Sequence, residues 1–476
     1  MNPLKAITER LDRMPLLGAL CCFMTGLCLT SEAWGTALAC GLLLLVGWAA
    51  YSFCRTKLLI GIATMGAGAL VAWMNPSTEI ILPKERLELQ VELLRDPVRM
   101  GDRLRSEARL LAWRSTRGGE WHSSSQRINL YIDTLAPRLQ GNDRIRMEGR
   151  IYPARRRAGS CYLSENNLIE LTPATRPSLH NRATNRLKGM LGAPSDERAT
   201  LLAMTVGASE EISSQLRRAY SQSGMAHLLA VSGLHTGFVF LLINLLLWWM
   251  PLVRNGHRWR NLLSLLLLWG YVAMAGGAPS AVRAAVMCSL LQFALYRGSS
   301  YVAMNSWAAA ALLLLIVKPS LTEDIGFRLS FAAVAGILVW GVPLMRRCRS
   351  RYRVVNYLVD GWIVALTASL AVAPFTALSF QTVGWTGTLL SPVVVSLGAL
   401  LVAGGLVMLL VGSPFGLLRE GLLGIARLQN KTAEWCASIS DGAIGWHPTE
   451  DDVVVCYLLF ALLTMAFWCW ETRKNV

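Results

Sequence analysis

One stretch, residues 226–253, reads AHLLAVSGLHTGFVFLLINLLLWWMPLV and contains no Asp, Glu, Lys or Arg. It is longer than the roughly 20 apolar residues that a helix needs to cross a bilayer. The whole chain is similarly apolar, since 53% of its 476 residues are hydrophobic and only 16% are charged, against about 25% charged in soluble proteins. This composition excludes a soluble multidomain enzyme, a disordered chain and a small disulfide-stapled domain.

Ten further apolar segments flank this run. They lie at residues 14–30, 34–53, 58–74, 261–276, 281–296, 306–317, 327–345, 358–380, 388–411 and 452–470. Several are shorter than a straight span, which predicts broken or re-entrant helices. The sequence therefore predicts a polytopic α-helical membrane protein with about 11 apolar segments.

The basic residues predict how the chain is oriented. The net charge is +16, and Lys and Arg concentrate in cytoplasmic loops. Basic clusters at 55–57, 254–260 and 346–353 become cytoplasmic if the amino terminus is cytoplasmic and residues 75–175 lie outside the cytoplasm. The stretch 412–450 is too polar to assign, so the side of the carboxyl terminus stays open.

The polar residues 75–175 show the period of β-strands. Apolar and polar residues alternate in 87–93, 128–132 and 144–151, with further candidates near 107–113 and 167–171. About five short strands predict a small extracytoplasmic β-barrel such as an OB-fold. The predicted domains are three amino-terminal spans (1–74), the OB-like domain (75–175), an amphipathic connector (176–225) and a membrane channel domain (226–476).

This module is slightly basic, with 17 Lys and Arg against 13 Asp and Glu. The candidate DNA-binding arginines are Arg144, Arg146, Arg150, Arg155, Arg156 and Arg157. The candidate stacking aromatics are Trp113, Trp121, Tyr131, Tyr152 and Tyr162. Together they would suit a cationic groove for single-stranded nucleic acid. On these residues alone, an ordinary solvated face with core aromatics is the favoured alternative.

Polar groups stand inside the apolar segments, where each costs about 2.5–3.5 kcal/mol on insertion scales and therefore indicates function. In the first cluster, His227 and His235 flank the pair Ser232-Gly233. A Ser-Gly step can interrupt a helix and free backbone groups to line an aqueous cavity. The alternative is a pair of interfacial histidines that only snorkel or cap.

Two more clusters follow. Gly276 and Gly277 precede Pro279, which predicts a helix break that places Arg283 about one turn into the next helix. An arginine there requires an anion, either a carboxylate or a phosphate. In residues 318–331, Asp324 and Arg328 are spaced i,i+4, with a local ion pair as the alternative to a functional role, and Ser330 follows deeper in the segment.

These clusters resemble the motifs of ComEC-type DNA internalisation competence proteins. The matching stretches are HLLAVSGLH at 227–235, GAPSAVRAAVM at 277–287 and PSLTEDIGFRLSFAAVAGIL at 319–338. The resemblance implies a channel in the cytoplasmic (inner) membrane that imports single-stranded DNA during natural transformation. The implied translocation pathway contains His227, Ser232, Gly233, His235, Arg283, Asp324, Arg328 and Ser330.

The resemblance also implies partners. They are single-stranded DNA, the lipid bilayer, periplasmic or surface DNA-receptor proteins, a cytoplasmic DNA translocase or helicase, and a separate nuclease. Many members of the family carry a metallo-β-lactamase-like nuclease domain, but the six histidines form no such metal cluster. No P-loop motif is present either. We therefore expect no enzyme activity, no metal and no cofactor in this chain.

Two other functions stay open at this point. Broken helices also suit a secondary transporter of a small anion, although such a carrier has no obvious need for a basic β-module. The sequence Ala230-Val231-Ser232-Gly233 resembles the Gly-x-Ser-Gly of rhomboid proteases, which would make Ser232 the nucleophile of an intramembrane protease. A protease would need a histidine on a facing helix, and no later predicted span contains one.

Overall fold

The computed structural model describes most of the chain. It covers residues 15–28, six positions within 64–71, 85–133 except 95–96, 101–102, 117 and 125, residue 139, and 143–154, 157–172, 178–252, 256–296, 303–412, 416–439 and 444–474. The predicted apolar segment 34–53 lies outside these residues, as do Arg155 and Arg156.

Helices form most of the described structure. They are α1 (Pro15–Cys28), α2 (Leu179–Leu191), α3 (Asp196–Val206), α4 (Ser214–Gln222), α5 (Gly233–Leu246), α6 (Gly256–Met274), α7 (Pro279–Tyr296), α8 (Ala303–Val317), α9 (Ile325–Gly336), α10 (Val342–Arg347), α11 (Arg353–Phe380), α12 (Thr386–Val411), α13 (Gly416–Ile439) and α14 (Glu450–Lys474). Short 3-10 turns at Ala226–Leu229 and Pro319–Thr322 precede α5 and α9, and a π-turn at Ile337–Gly341 joins α9 to α10.

The polar module is a sheet, as its alternating pattern predicts. Its strands are β1 (Leu87–Leu93), β2 (Val98–Met100), β3 (Arg103–Ser115), β4 (His122–Ser123), β5 (Arg127–Asp133), β6 (Arg144–Gly149), β7 (Tyr152–Ala154), β8 (Arg157–Leu163) and β9 (Leu168–Thr172). The main strand order is β7-β8-β5-β3-β1-β6-β9. All pairs are antiparallel except β5 with β8.

The sheet curls around one apolar core. Leu89, Val91 and Leu93 are fully buried on the inner face of β1, and Leu130 and Met147 face them from β5 and β6. A bulge in β3, where Leu111 is the extra residue, shifts the register between Gln90 and Val91 of β1, which bends the pair. Because β6 also contacts β8, the two halves of the sheet meet around this core.

Among the residues that the structure describes, four helices are long and apolar enough to cross a bilayer. They span Gly233–Leu252, Ile325–Arg347, Arg353–Phe380 and Thr386–Val411, and shorter apolar helices occupy Pro279–Ala294 and Ala303–Val317. These lengths and compositions support a membrane protein. The larger count of about 11 segments stays a prediction.

Helices α2 to α4 come from the predicted connector and pack into the main helical core. Residues 198–206 of α3 are all buried, and α3 contacts both α12 and α13. The stretch left unassigned by the sequence contains α13, whose buried residues recur every three or four positions, and a short strand Ile444–Gly445 (β11) that pairs with Thr382–Val383 (β10). Helices α3 and α4 both contact the 3-10 turn that precedes α5.

Candidate site at the junction of the three motifs

Ser232 ends the turn before α5 and begins the helix. Its Oγ accepts a hydrogen bond from the backbone N–H of His235 at 3.3 Å, and the N–H of Ser232 donates to Nδ1 of His235 at 3.5 Å. This is a capping box in which a histidine replaces the usual Glu or Gln. Among the described residues, no histidine side chain bonds the Ser232 hydroxyl, so the observed role of this hydroxyl is to fix where α5 starts.

A backbone crossing positions the turn that carries His227. Gly387 donates its N–H to the carbonyl of Ser223 at 2.8 Å. A Cβ on Gly384 would lie 2.5 Å from the backbone nitrogen of Gly224. The backbones of these two segments therefore touch without side chains between them. His227 follows on its turn with an accessible side chain, whereas His235 is buried.

The first motif contacts the second through α7. Ser280 Oγ donates to the carbonyl oxygen of Val231 at 2.6 Å. A Cβ on Gly233 would lie 3.6 Å from the Cβ of Ala284, so the start of α5 packs directly on α7. The sequence interpretation did not select Ser280, although it lies within the conspicuous Gly-Ala-Pro-Ser break.

Arg283 joins the second motif to the third. Its Nη2 donates to Ser330 Oγ at 3.0 Å, and its Nη1 lies 3.8 Å from Oδ1 of Asp324. The residue is only 6% exposed, and its Nε has no hydrogen-bond partner among the residues that the structure describes. Gly326 makes room for this arrangement, because a Cβ there would lie 3.2 Å from Nη2 of Arg283 and 3.0 Å from Oδ1 of Asp324.

Asp324 and Arg328 have separate partners. Asp324 caps α9 by accepting the N–H of Phe327 at 2.6 Å. Arg328 donates from Nε to the carbonyl of Thr322 at 2.7 Å, and its guanidinium lies 5.8 Å from the ring centroid of Phe375. The alternative of a local ion pair between Asp324 and Arg328 is not seen among the described residues, because the carboxylate of Asp324 pairs with Arg283 on another helix.

A buried polar seam continues from His235 to α12 and α13. A Cβ on Gly398 would lie 3.6 Å from Nε2 of His235 and 3.8 Å from Nε2 of Gln429. Nε2 of His235 and Oε1 of Gln429 are both buried, and neither has a hydrogen-bond partner in the described part of the chain. Next to them, Asn430 Oδ1 accepts the hydroxyls of Thr200 and Tyr220. The helical spacing of buried residues in α13 could have revealed this seam from the sequence.

In the sheet module, part of the predicted cationic groove is already paired with carboxylates. Arg114 and Arg146 both bind the buried Glu88, with 2.5 Å from Arg114 Nε to Glu88 Oε2, and the Trp121 ring lies over both guanidiniums. Burial alone would raise the pKa of Glu88, but the hydrogen bonds and charges of the two arginines outweigh it and lower that pKa.

The remaining candidate arginines differ in their surroundings. Arg144 Nε lies 3.4 Å from Oε1 of Glu92 at the surface. Arg150 lies 5.8 Å from the ring centroid of Tyr152 and, within the described part of the chain, pairs with no carboxylate. Arg157 begins β8. The predicted groove is therefore a row of ion pairs on one side and a cation beside aromatic rings on the other.

Comparison with known proteins identifies the family. A family model described as Competence protein matches residues 204–473, which include all three motifs. This chain belongs to the competence protein family. Its resemblance to ComEC-type proteins is thereby confirmed.

A curated relative agrees with the family. The chain is 31% identical over 151 residues to ComE operon protein 3 of Bacillus subtilis (strain 168), a match that covers 31% of this chain and 18% of that protein. The chain therefore aligns with less than a fifth of that competence protein's length. No solved structure matches the chain.

Proposed function

We propose that this competence protein forms a channel in the cytoplasmic membrane through which one strand of incoming DNA enters the cell during natural transformation. The observation that carries the proposal is that the three motifs meet at α7, where the first motif contacts Ser280 and the third contacts the buried Arg283. Among the described residues, its Nε has no hydrogen-bond partner, its Nη2 bonds the neutral hydroxyl of Ser330, and the carboxylate of Asp324 lies 3.8 Å from its Nη1. A planar fork with spare donors suits a phosphate oxygen, and a DNA strand carries one phosphate per nucleotide.

The helix ends support binding of an anion at the same place. α5 begins at its cap Ser232, α7 begins at Pro279 and α9 begins at its cap Asp324. Contacts from Ser280 and Arg283 bring these three amino-terminal ends together. Each end carries a partial positive charge and unsatisfied backbone N–H groups, which attract phosphate.

In this proposal the sheet module lies outside the cytoplasm and receives the DNA as an OB-like barrel. Strands β1, β3 and β5 form an antiparallel meander, β8 joins β5 in parallel, β6 joins β1, and β6 contacts β8. This connectivity supports a five-stranded, partly open Greek-key barrel. Surface DNA receptors would deliver the strand to it.

The cytoplasmic side in this proposal carries the basic loop at residues 347–353, between two candidate spans. Its arginines would meet the emerging strand, and a cytoplasmic translocase or helicase would supply the movement. A separate nuclease would remove the second strand, and the chain itself would act as a conduit and not as an enzyme.

The test is DNA entry in a strain that lacks the gene. Labelled double-stranded DNA should still bind outside the cytoplasmic membrane but should not reach the cytoplasm, and the wild-type gene should restore entry. Arg283→Ala, at normal protein level, should not restore it. Unchanged cytoplasmic entry after deletion, in a strain that demonstrably takes up DNA, would refute the channel.

A second candidate is a carrier of a small anion, because three helix amino termini beside a buried arginine also suit an inorganic anion. Reconstituted liposomes separate the two functions. A carrier would move labelled phosphate in the absence of DNA and without any effect of the sheet module, whereas the channel would not.

A further inference from the structure

The sheet module has two different outer surfaces. Over β6, β1 and β3 lies the ion-pair row of Arg114, Arg146 and Glu88. Over β5, β8 and β7 lies a cluster of three tyrosines, Tyr131, Tyr162 and Tyr152, which we term the tyrosine platform. The two surfaces are separated by the strand order of the sheet and differ in chemistry.

The platform is an ordered cluster of rings, of which Tyr152 and Tyr162 are exposed and Tyr131 is half-buried. Tyr131 and Tyr162 are directly opposite each other in the parallel pair of β5 and β8, and their ring centroids lie 5.3 Å apart at an interplanar angle of 25°. Tyr152 meets the edge of Tyr162 with centroids 5.9 Å apart. Tyr152 is 48% exposed and Tyr162 is 44% exposed.

Packing of the module does not account for these rings. On the same strands, Leu130, Cys161 and Leu163 point inward and are buried at 0–1% exposure, so the tyrosines occupy the opposite face. They do not belong to the apolar core of the module. Clustered apolar area on a surface is costly and typically marks a binding site, and aromatic rings with polar tips are suited to such a site.

The chemistry beside the rings selects the ligand. Arg150 lies 5.8 Å from the Tyr152 ring and, among the described residues, has no carboxylate partner, so it can meet a phosphate. A flat ring cluster next to a free cation suits nucleobases that stack while their backbone passes the cation. Bases are available for stacking only in a single strand. Before the arginines of the other surface could bind a phosphate, their ion pairs with glutamate would have to break.

We propose that the tyrosine platform, with Arg150 at its edge, is the surface of the module that binds single-stranded DNA by base stacking. The proposal rests on the proposed function, because it assigns the DNA-receiving role of the module to one of its faces. It predicts affinity that depends mainly on the rings and only weakly on salt. The arginine row stabilises the sheet and contributes little to binding.

The experiment measures binding of the full chain in detergent to a fluorescein-labelled oligothymidylate of about 16 nucleotides, the upper end of site sizes for one OB barrel. Affinity is followed by anisotropy over a series of salt concentrations. The variants are Tyr131→Ala, Tyr152→Ala and Tyr162→Ala, each with its Tyr→Phe counterpart. Ile169→Ala is the matched control, because Ile169 is 47% exposed on β9 at the far edge of the same sheet.

Each alanine variant should weaken binding by about 5- to 150-fold, the range measured for loss of one stacked base. The phenylalanine variants and Ile169→Ala should bind as the wild type does, which also shows that the sheet is folded. Arg150→Gln should reduce the slope of log K against log salt by about 0.7, the value for one phosphate on a single strand. The alanine variants should leave that slope unchanged.

Two outcomes overturn the proposal, and they differ in meaning. If the wild-type chain binds and the three alanine variants bind equally well, the platform is not the binding face, while a DNA-receiving module remains. If the wild-type chain does not bind the oligonucleotide even at low salt, both the platform and the DNA-receiving role of the module fail. Membrane entry of DNA is tested separately by deletion.

Discussion

Arg283 is a buried, ionised side chain at the start of α7. An arginine inside apolar sequence requires an anion, and the sequence left a carboxylate or a phosphate open. The structure supplies Asp324 only at 3.8 Å, beyond hydrogen-bonding distance, and leaves Nε without a partner. The charge is therefore only partly compensated, and the guanidinium keeps a donor that could bind a further anion.

The planar guanidinium of Arg283, and not only its positive charge, should be needed for DNA entry. Arg283→Lys keeps one positive charge but loses the planar donor arrangement that reaches Ser330 and Asp324 together. We expect cytoplasmic DNA entry to fall about 10- to 150-fold, the equivalent of one hydrogen bond to a charged group at about 1.5–3 kcal/mol. The matched control is Arg258→Lys, in an exposed position of α6. Cells that carry this variant should take up DNA as the wild type does. Wild-type entry by Arg283→Lys would contradict a role for the fork.

Glu88 should make the sheet module sensitive to acid. Its pKa is lowered in the folded protein, so its contribution to stability is complete above the ordinary carboxyl pKa of about 4.3 and is lost as the pH falls through the lowered folded value. Glu88→Gln should cost about 1–3 kcal/mol at neutral pH. Thermal unfolding of both proteins measures this, and the difference should shrink in acid. A constant difference down to pH values below 4 would contradict the assignment.

At the level of elements, the helix ends were easier to predict than the helix partners. Gly276 and Gly277 have positive φ angles of 70° and 61°, which end α6 where the sequence predicted a break. Ser232 starts α5 because its side chain caps the helix, and Pro279 starts α7 because proline favours the first helical position. Helix α13 was missed, because its polar residues concealed an apolar face that recurs every three or four positions.

The crossing of Gly224 and Gly384 should be essential for the turn that carries His227. An added Cβ at Gly384 would meet backbone atoms of Gly224 at 2.5 Å and 2.7 Å, and backbone cannot rotate away as a side chain can. Gly384→Ala should therefore destabilise the protein by at least about 1–3 kcal/mol, the usual cost of overpacking. Thermal unfolding in detergent measures the loss.

A helical glycine with free space is the control for that prediction. Gly421 lies in α13, and a Cβ there would meet nothing within 4 Å. Gly421→Ala should be neutral or stabilise the protein by up to about 1 kcal/mol, because alanine is the better helix former. Equal unfolding temperatures for Gly384→Ala and the wild type would show that the two loops separate easily.

At the scale of the whole molecule, the sheet module and the basic loop should lie on opposite sides of the membrane. Cys348 is exposed in that loop and provides a native label site. In a variant that keeps only this cysteine, a membrane-impermeant maleimide should label intact cells only after permeabilisation. Ser123→Cys in the exposed strand β4, without Cys348, should be labelled from outside.

The opposite labelling pattern would show that the chain has the reverse orientation in the membrane. Labelling of both sites from the same side would refute the prediction that they lie on opposite sides. Protein level and DNA entry of each single-cysteine variant control for misfolding. The result also decides which end of the polar junction at Arg283 faces incoming DNA.

The sequence by itself determined the class of protein, the alternating strands and the breaks at Ser232 and Pro279. These features are local, since they depend on hydrophobic period, helix caps and backbone restrictions within a few residues. It also selected Arg283 because an ionised group is costly in apolar surroundings wherever it lies along the chain.

Only the tertiary structure decided which of these groups meet. Asp324 pairs with Arg283 and not with Arg328, and Gln429 lies near His235. In the sheet, the arginines that pair with carboxylates lie apart from the tyrosine platform. Such contacts join residues that are distant in the chain, so no local pattern encodes them. They depend on which helix faces and strand faces pack together, and the close packing of all core side chains determines that arrangement.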